Sequence, residues 1–251
     1  MFELNPRLFG CILPLAMVLA ALVTNASAQE AAQPAGPDKP ANKLSIGGYH
    51  FSATGEAIDI NWRHANSYGN TWLGYYHASS RDEHQARAGW DDTLEAGSVR
   101  ITPSAQIASR GYIAWSVNVE AGQTWFVGAG FGRTNLQSNW NLNFDPNDSY
   151  TLSAGRRWAD GRVASLQWVR DNRENPDQRH LHVNYRLPLA GGERMTIDIL
   201  RKQGLVDAAM IRKLGATFTY DWPRYFVRLA YDPKVNFTPE NMWRLVIGTR
   251  F

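Results

Sequence analysis

Two kinds of triplet in this sequence place groups with chemistry in them side by side. In His50-Phe51-Ser52 and His77-Ala78-Ser79 a histidine and a serine stand two residues apart. On an extended strand, positions i and i+2 share one face, so the imidazole lies within reach of the hydroxyl and can act as its base. For the second triplet, Asp82 and Glu83 are the carboxylates available to orient the imidazole. His180-x-His182 puts two imidazoles on one strand face. The sequence marks no third ligand near them, so no metal is assigned. No phosphate-binding loop or dinucleotide fingerprint is present, and no cofactor is expected. The other recurrent chemistry is cationic. Arg63, Arg87, Arg100, Arg157, Arg186, Arg228, Arg244 and Arg250 each fall on the polar side of an alternating segment.

The elements that would position these groups read as strands. Ile58, Ile60 and Trp62 share a face against Asp59, Asn61 and Arg63. Ile113, Trp115, Val117 and Val119 oppose Ser116, Asn118 and Glu120. Trp125, Val127, Ala129 and Phe131 oppose a row of glycines at 128, 130 and 132. Leu181, Val183, Tyr185 and Leu187 oppose His180, His182, Asn184 and Arg186, and two more such segments close the chain, at 225–231 and 243–251. Strict period-two alternation predicts pleated segments with one apolar and one polar face. Segments of about ten residues separated by turn residues are the pattern of a transmembrane β-barrel. We therefore expect an all-β fold: a single antiparallel transmembrane barrel over residues 44–251, of about 14 strands with 12 as the alternative count.

An even count puts both termini at one end. Four connections read as long, at 135–147, 171–177, 204–209 and 233–241, and with 14 strands all four come after odd strands. The short turns at 159–161, 190–192 and 221–223 come after even ones. The stretch at 97–109 is harder to place because it holds Pro103, and 147–149 with the rest of its long loop reads as surface. If the barrel lies in lipid, the arginines face its lumen, because an arginine turned to the bilayer midplane costs about 2–4 kcal/mol. Asp59, Asp91, Glu120 and Asp198 then face inward as well.

Residues 1–28 read as a cleaved secretory signal peptide. Arg7 is followed by an apolar run from Leu8 to Val23 and by Ala26-Ser27-Ala28 as the cleavage site. Residues 29–43 are rich in alanine, proline and polar side chains and read as a flexible periplasmic lead-in. Cys11, the only cysteine, lies in the leader, which leaves the remainder without disulfides or a cysteine nucleophile. The 251 residues include 10 Trp, a residue that favours membrane interfaces. The net charge is +3 and no Lys/Arg run occurs, so nucleic acid is not an expected partner.

The last segment, Trp243-Arg-Leu-Val-Ile-Gly-Thr-Arg-Phe251, resembles the closing strand of Gram-negative outer-membrane proteins. Trp243, Leu245, Ile247 and Phe251 match the spacing, and Thr249 departs from it. The resemblance implies a place in the bacterial outer membrane among its lipids, with Phe251 as part of the signal read by the barrel-insertion machinery. At class level the chain also resembles small single-chain porins that pass acidic oligosaccharides and barrels that export polysaccharide. That implies a monomeric channel for polar, anionic solutes, lined by the eight arginines. The His-x-Ser pair resembles that of outer-membrane lipid A deacylases. Those enzymes carry Asn and further residues after the pair, and Ser80-Arg81-Asp82 departs from that pattern. This alternative makes His77 and Ser79 the catalytic pair of an acyl hydrolase. A closed structural or adhesion barrel is the third expectation.

Overall fold

A computed structural model describes residues 40–251, so the expected leader (1–28) and most of the lead-in lie outside the described residues. The described chain is a sequence of fifteen strands. They are β1 (Asn42–Phe51), β2 (Gly55–Asn66), β3 (Gly69–Ala78), β4 (Glu83–Asp91), β5 (Leu94–Ala96), β6 (Val99–Ala108), β7 (Tyr112–Ala121), β8 (Trp125–Thr134), β9 (Ser149–Arg157), β10 (Val163–Asp171), β11 (Arg179–Pro188), β12 (Arg194–Val206), β13 (Ala209–Asp221), β14 (Tyr225–Asp232) and β15 (Met242–Arg250). Each strand pairs antiparallel with its neighbour, and β1 pairs with β15 from Lys43–Arg250 to Phe51–Met242, which closes the sheet into a barrel. β4 and β5 pair in succession with β6, so they share one place in the wall. The wall thus has 14 positions.

Pro103 accounts for the extra strand. It pairs with Val117 of β7 on one side. On its other side it falls between the β4 pairing, which reaches Ser104, and the β5 pairing, which begins at Ile101. A proline has no N–H to give, and a partner strand that bulges away at Asp92 and Thr93 leaves no carbonyl waiting for it. The Pro103 carbonyl still accepts the Asp92 N–H at 3.2 Å.

The turns sort by end. The end that holds both termini of the described chain carries short connections, as at 67–68, 97–98 and 222–224, and the opposite end carries the long ones at 135–148, 172–178 and 233–241. Short turns mark the periplasmic side of such barrels and long loops the outer side. One expected loop is absent. Residues 204–209 are not a long connection: β12 and β13 are 13 residues each and meet in a two-residue turn at Asp207-Ala208, both with positive φ (49° and 63°). That is the backbone handedness a tight hairpin requires, supplied here without glycine.

The two faces separate as the period-two pattern predicts. Ile46, Ile60, Leu73, Leu152, Leu166, Ile199, Leu229 and Leu245 stand exposed on the outer surface at mid-height. Trp125, Trp222 and Tyr225 ring the periplasmic end of that band, and Tyr75, Tyr150 and Trp243 ring the other. Apolar bands between aromatic girdles are the surface that lipid demands. Phe251 extends the β1–β15 pairing by two backbone hydrogen bonds to Asn42, each 3.0 Å, and its ring is exposed on the outside.

Leu245→Arg is expected to destabilise the barrel by about 2–4 kcal/mol, as a charge at the bilayer midplane does. Urea unfolding in lipid vesicles measures it. A variant as stable as the wild type would show that this face does not meet lipid.

Candidate functional site

The connection between β8 and β9 does not lie on the surface. Residues 135–148 fold into the lumen, which corrects the expectation of a solvent-exposed loop. Trp140 stacks on Tyr76 of β3 with ring centroids 5.8 Å apart and meets Phe51 of β1 edge-on at 5.6 Å. The Arg81 guanidinium lies 4.4 Å above the same indole. From β4, the Gln85 amide takes hold of the loop backbone. Its Oε1 accepts the Trp140 N–H at 2.7 Å and its Nε2 donates to the Trp140 carbonyl at 3.2 Å. From β15, Arg244 donates to the Leu142 carbonyl at 3.2 Å and covers the Phe144 ring at 4.6 Å. Tyr49, Phe51, Tyr76, Met242 and Val235 form a buried apolar core against which Trp140, Leu142 and Phe144 pack. This core sits inside the barrel toward the outer end, where alternation alone predicts polar lining.

The loop's exit is ionic. Asp148 accepts from the Thr134 N–H (3.2 Å) and hydroxyl (2.5 Å), and from Arg133 and Arg173 at 3.5 and 3.3 Å. Nearby, Asp145 reaches the histidine pair of β11. Its Oδ1 contacts Nδ1 of His180 and lies 3.1 Å from Nε2 of His182. Nδ1 of His182 in turn lies 2.9 Å from Oδ2 of Asp198 on β12. Beside them, Lys202 pairs with Asp232 at 2.7 Å, and both are almost wholly buried. Burial raises the Asp145 carboxyl, but the charges and hydrogen bonds of His182 and His180 outweigh it and hold Asp145 well below the usual carboxylate range. The third donor that the sequence does not mark for His180 and His182 is therefore Asp145, 35 residues upstream of His180.

Below the loop, toward the periplasmic end, the lumen is a cavity of about 730 Å³. Its wall runs from Asn42, Leu189 and Trp222 at the rim up to Trp140, Phe144 and Asp145 of the loop, which forms its ceiling. Six of the eight arginines expected in the lumen line it: Arg63, Arg87, Arg186, Arg228, Arg244 and Arg250. Arg63 pairs with Asp91 at 2.9 Å, Arg87 with Asp59 at 2.6 Å and Arg250 with Asp221 at 2.5 Å. Arg228 donates to the Thr219 hydroxyl at 3.2 Å. Arg100 and Arg157 lie apart from this cavity. Both engage Glu120 of β7, and Arg100 also engages Glu95 at 2.7 Å, while Arg157 covers the Phe126 ring at 3.9 Å. Eight basic side chains line the cavity against six acidic ones.

The His-x-Ser pair is not brought together. Even-numbered residues of β3 such as Tyr76 and Ala78 point inward, which turns His77 to the exterior, while Ser79 begins a short turn after the strand. Among the described residues no hydrogen bond joins them. Glu83 instead takes Arg81 at 3.2 Å. His50, in the other triplet, pairs with Glu56 at 2.5 Å on the outer surface, and Ser52 accepts the Asn241 N–H at 3.0 Å.

A closed antiparallel barrel with an apolar, aromatic-girdled exterior and a charged interior is a bacterial outer-membrane β-barrel. No family model matches this sequence, and no curated protein does. Among solved structures the chain is similar to KdgM porin, with 11% identity, a TM-score of 0.45, and 82% of this chain and 99% of that one covered. It is similar to NanC porin at 7% identity and a TM-score of 0.46, covering 83% and 100%. It is also similar to a bacterial polysaccharide outer membrane secretin at 9% identity and a TM-score of 0.43, covering 85% and 99%. Identities this low assign no family.

Gln85→Ala removes both side-chain bonds to the Trp140 backbone and leaves two amide groups to find water inside the barrel, at about 1–3 kcal/mol each. The expected result is faster thermolysin cleavage within residues 136–147, with the barrel itself still folded by circular dichroism. Unchanged cleavage would show that the Gln85 clasp does not hold the loop.

Proposed function

We propose that this barrel is an outer-membrane channel for small polar solutes, with a preference for anions. The observation that carries the reading is the cavity itself: a space of about 730 Å³ that runs from the periplasmic rim to the inward loop, walled by Arg63, Arg87, Arg186, Arg228, Arg244 and Arg250. Side chains just fill a barrel of eight strands, and a wall of 14 positions encloses more room than they occupy. A lumen with more basic than acidic groups, bounded by a low-dielectric wall, concentrates anions over cations. The loop at residues 135–148 is the constriction of this path. An acidic sugar fits the lining in kind, since guanidinium groups meet carboxylates with paired hydrogen bonds and the aromatic faces of Tyr49, Trp72 and Phe226 lie among them.

Planar-bilayer recording of the refolded protein tests this. Single-channel steps with anion selectivity are expected. Arg228→Ser together with Arg186→Ser is expected to lower the anion preference, and replacing residues 138–146 with a short Gly-Ser linker is expected to raise the conductance. Silence from both the wild type and the loop-replaced protein, each folded, would overturn the channel and leave a closed barrel that acts through its surface.

A further inference from the structure

The meeting of Asp145, His180 and His182 is not explained by holding a loop in place. A carboxylate can only accept a hydrogen bond. Asp198 lies 2.9 Å from Nδ1 of His182, so that nitrogen carries the proton when the ring is neutral. The other nitrogen, Nε2, then presents a lone pair to Asp145 Oδ1 at 3.1 Å. His180 brings a second nitrogen to the same oxygen. Donor atoms of all three residues lie within 4.8 Å of one another, and the three side chains are buried. Lone pairs that converge in a buried pocket repel unless a positive charge sits among them.

A proton held on His182 between Asp145 and Asp198 meets that need, and so does a bound cation. The second oxygen of Asp145, also buried, has no hydrogen-bond partner among the described residues. Two imidazole nitrogens, a carboxylate with an idle oxygen and a second carboxylate behind His182 together describe a cation site.

We propose that Asp145, His180 and His182 bind one divalent transition-metal ion of the zinc type, which clamps the inward loop to β11. The donor set selects the ion class. Imidazole nitrogens suit zinc and its neighbours, whereas calcium and magnesium take sets made of oxygen. Zinc bonds of about 2.0–2.2 Å in a tetrahedron place neighbouring donors about 3.3–3.6 Å apart, so the 3.1 Å pair of Asp145 Oδ1 and His182 Nε2 opens slightly, and the closer His180–Asp145 contact opens further, when the ion enters. Asp198 plays the supporting role that carboxylates behind metal-bound histidines play, fixing the ring tautomer and orientation. The way in is open, because Asp145, His182 and Asp198 all border the lumen cavity. The fourth position faces that cavity and takes water. The ion joins a loop residue to two wall residues, so its removal loosens the Asp145 end of the loop while Gln85 and Arg244 still hold Trp140 and Leu142. The site stands whether or not the lumen conducts.

The test is metal content. The refolded barrel in detergent is stripped with a chelator, loaded with Zn²⁺, dialysed against a weak chelator and measured by mass spectrometry of the metal. One Zn²⁺ per chain is expected for the wild type and for a His84→Gln control on the outer surface. None is expected for Asp145→Asn or His182→Gln, with folding of each confirmed by heat-dependent mobility in gels. Asp198→Asn is expected to weaken zinc affinity about 10–100-fold. Zn²⁺ is expected to slow thermolysin cleavage of residues 136–147 in the wild type and to leave Asp145→Asn and His182→Gln unprotected. Co²⁺ loaded into the wild-type barrel gives a reading that needs no variant: strong visible bands of a four-coordinate site are expected. Zinc absent from the wild type, zinc retained equally by Asp145→Asn and His182→Gln, or the pale spectrum of hydrated cobalt would each overturn the proposal.

Discussion

Everything in this molecule depends on one demand: inside a bilayer no backbone N–H or C=O can be left to water. The β1–β15 pairing meets it, joining residues near the two ends of the described chain and leaving every position in the wall with two neighbours. Once the wall is closed, the period-two pleat assigns each side chain either to lipid or to the lumen, and no third environment exists. Pro103 shows how strict the demand is. A residue with no N–H is set where the neighbouring strand steps aside, and even there its carbonyl keeps a partner in Asp92. The same closure makes the interior a place where charges must be matched locally. Arg63 pairs with Asp91, Arg87 with Asp59 and Lys202 with Asp232.

The interior divides into two media. The periplasmic half is an open, charged cavity, whereas the outer half is filled by rings from β1, β3 and the β8–β9 loop and by the ionic contacts of Asp145, Asp148 and Lys202. Arg244 stands at the boundary. It belongs to the ladder of lumen arginines, yet it donates to the Leu142 carbonyl and covers Phe144. The loop is therefore held by the same kind of residue that lines the space below it. A change in lumen charge at Arg244 acts on the loop as well as on the solute path.

The wall is legible in the sequence because alternation writes each face directly into residue order. Ile58, Ile60 and Trp62 turn outward and Asp59, Asn61 and Arg63 inward for no reason beyond the pleat. The count of 14 comes from turn chemistry and loop parity. The hairpin at 207–208 reads as a long loop because Asp-Ala is an uncommon pair for two positive-φ positions, where glycine is the usual residue. The lumen plug is hidden because its segment, rich in asparagine with a proline, looks like surface. A signal is present all the same: Trp140, Leu142 and Phe144 alternate, which a solvated loop has no reason to do. Asp145 as the partner of His180 and His182 leaves no trace in order or spacing, because they meet only once β9, β10 and β11 have paired and the loop before β9 has folded inward.

The loop's anchors carry a temporal meaning. Gln85 lies 55 residues before Trp140, and Arg244 lies 102 residues after Leu142. Gln85 comes into reach once the strands from β4 to β8 have paired, whereas Arg244 waits for the closing strand β15. The loop's docking is therefore complete only when the last strand has closed the wall.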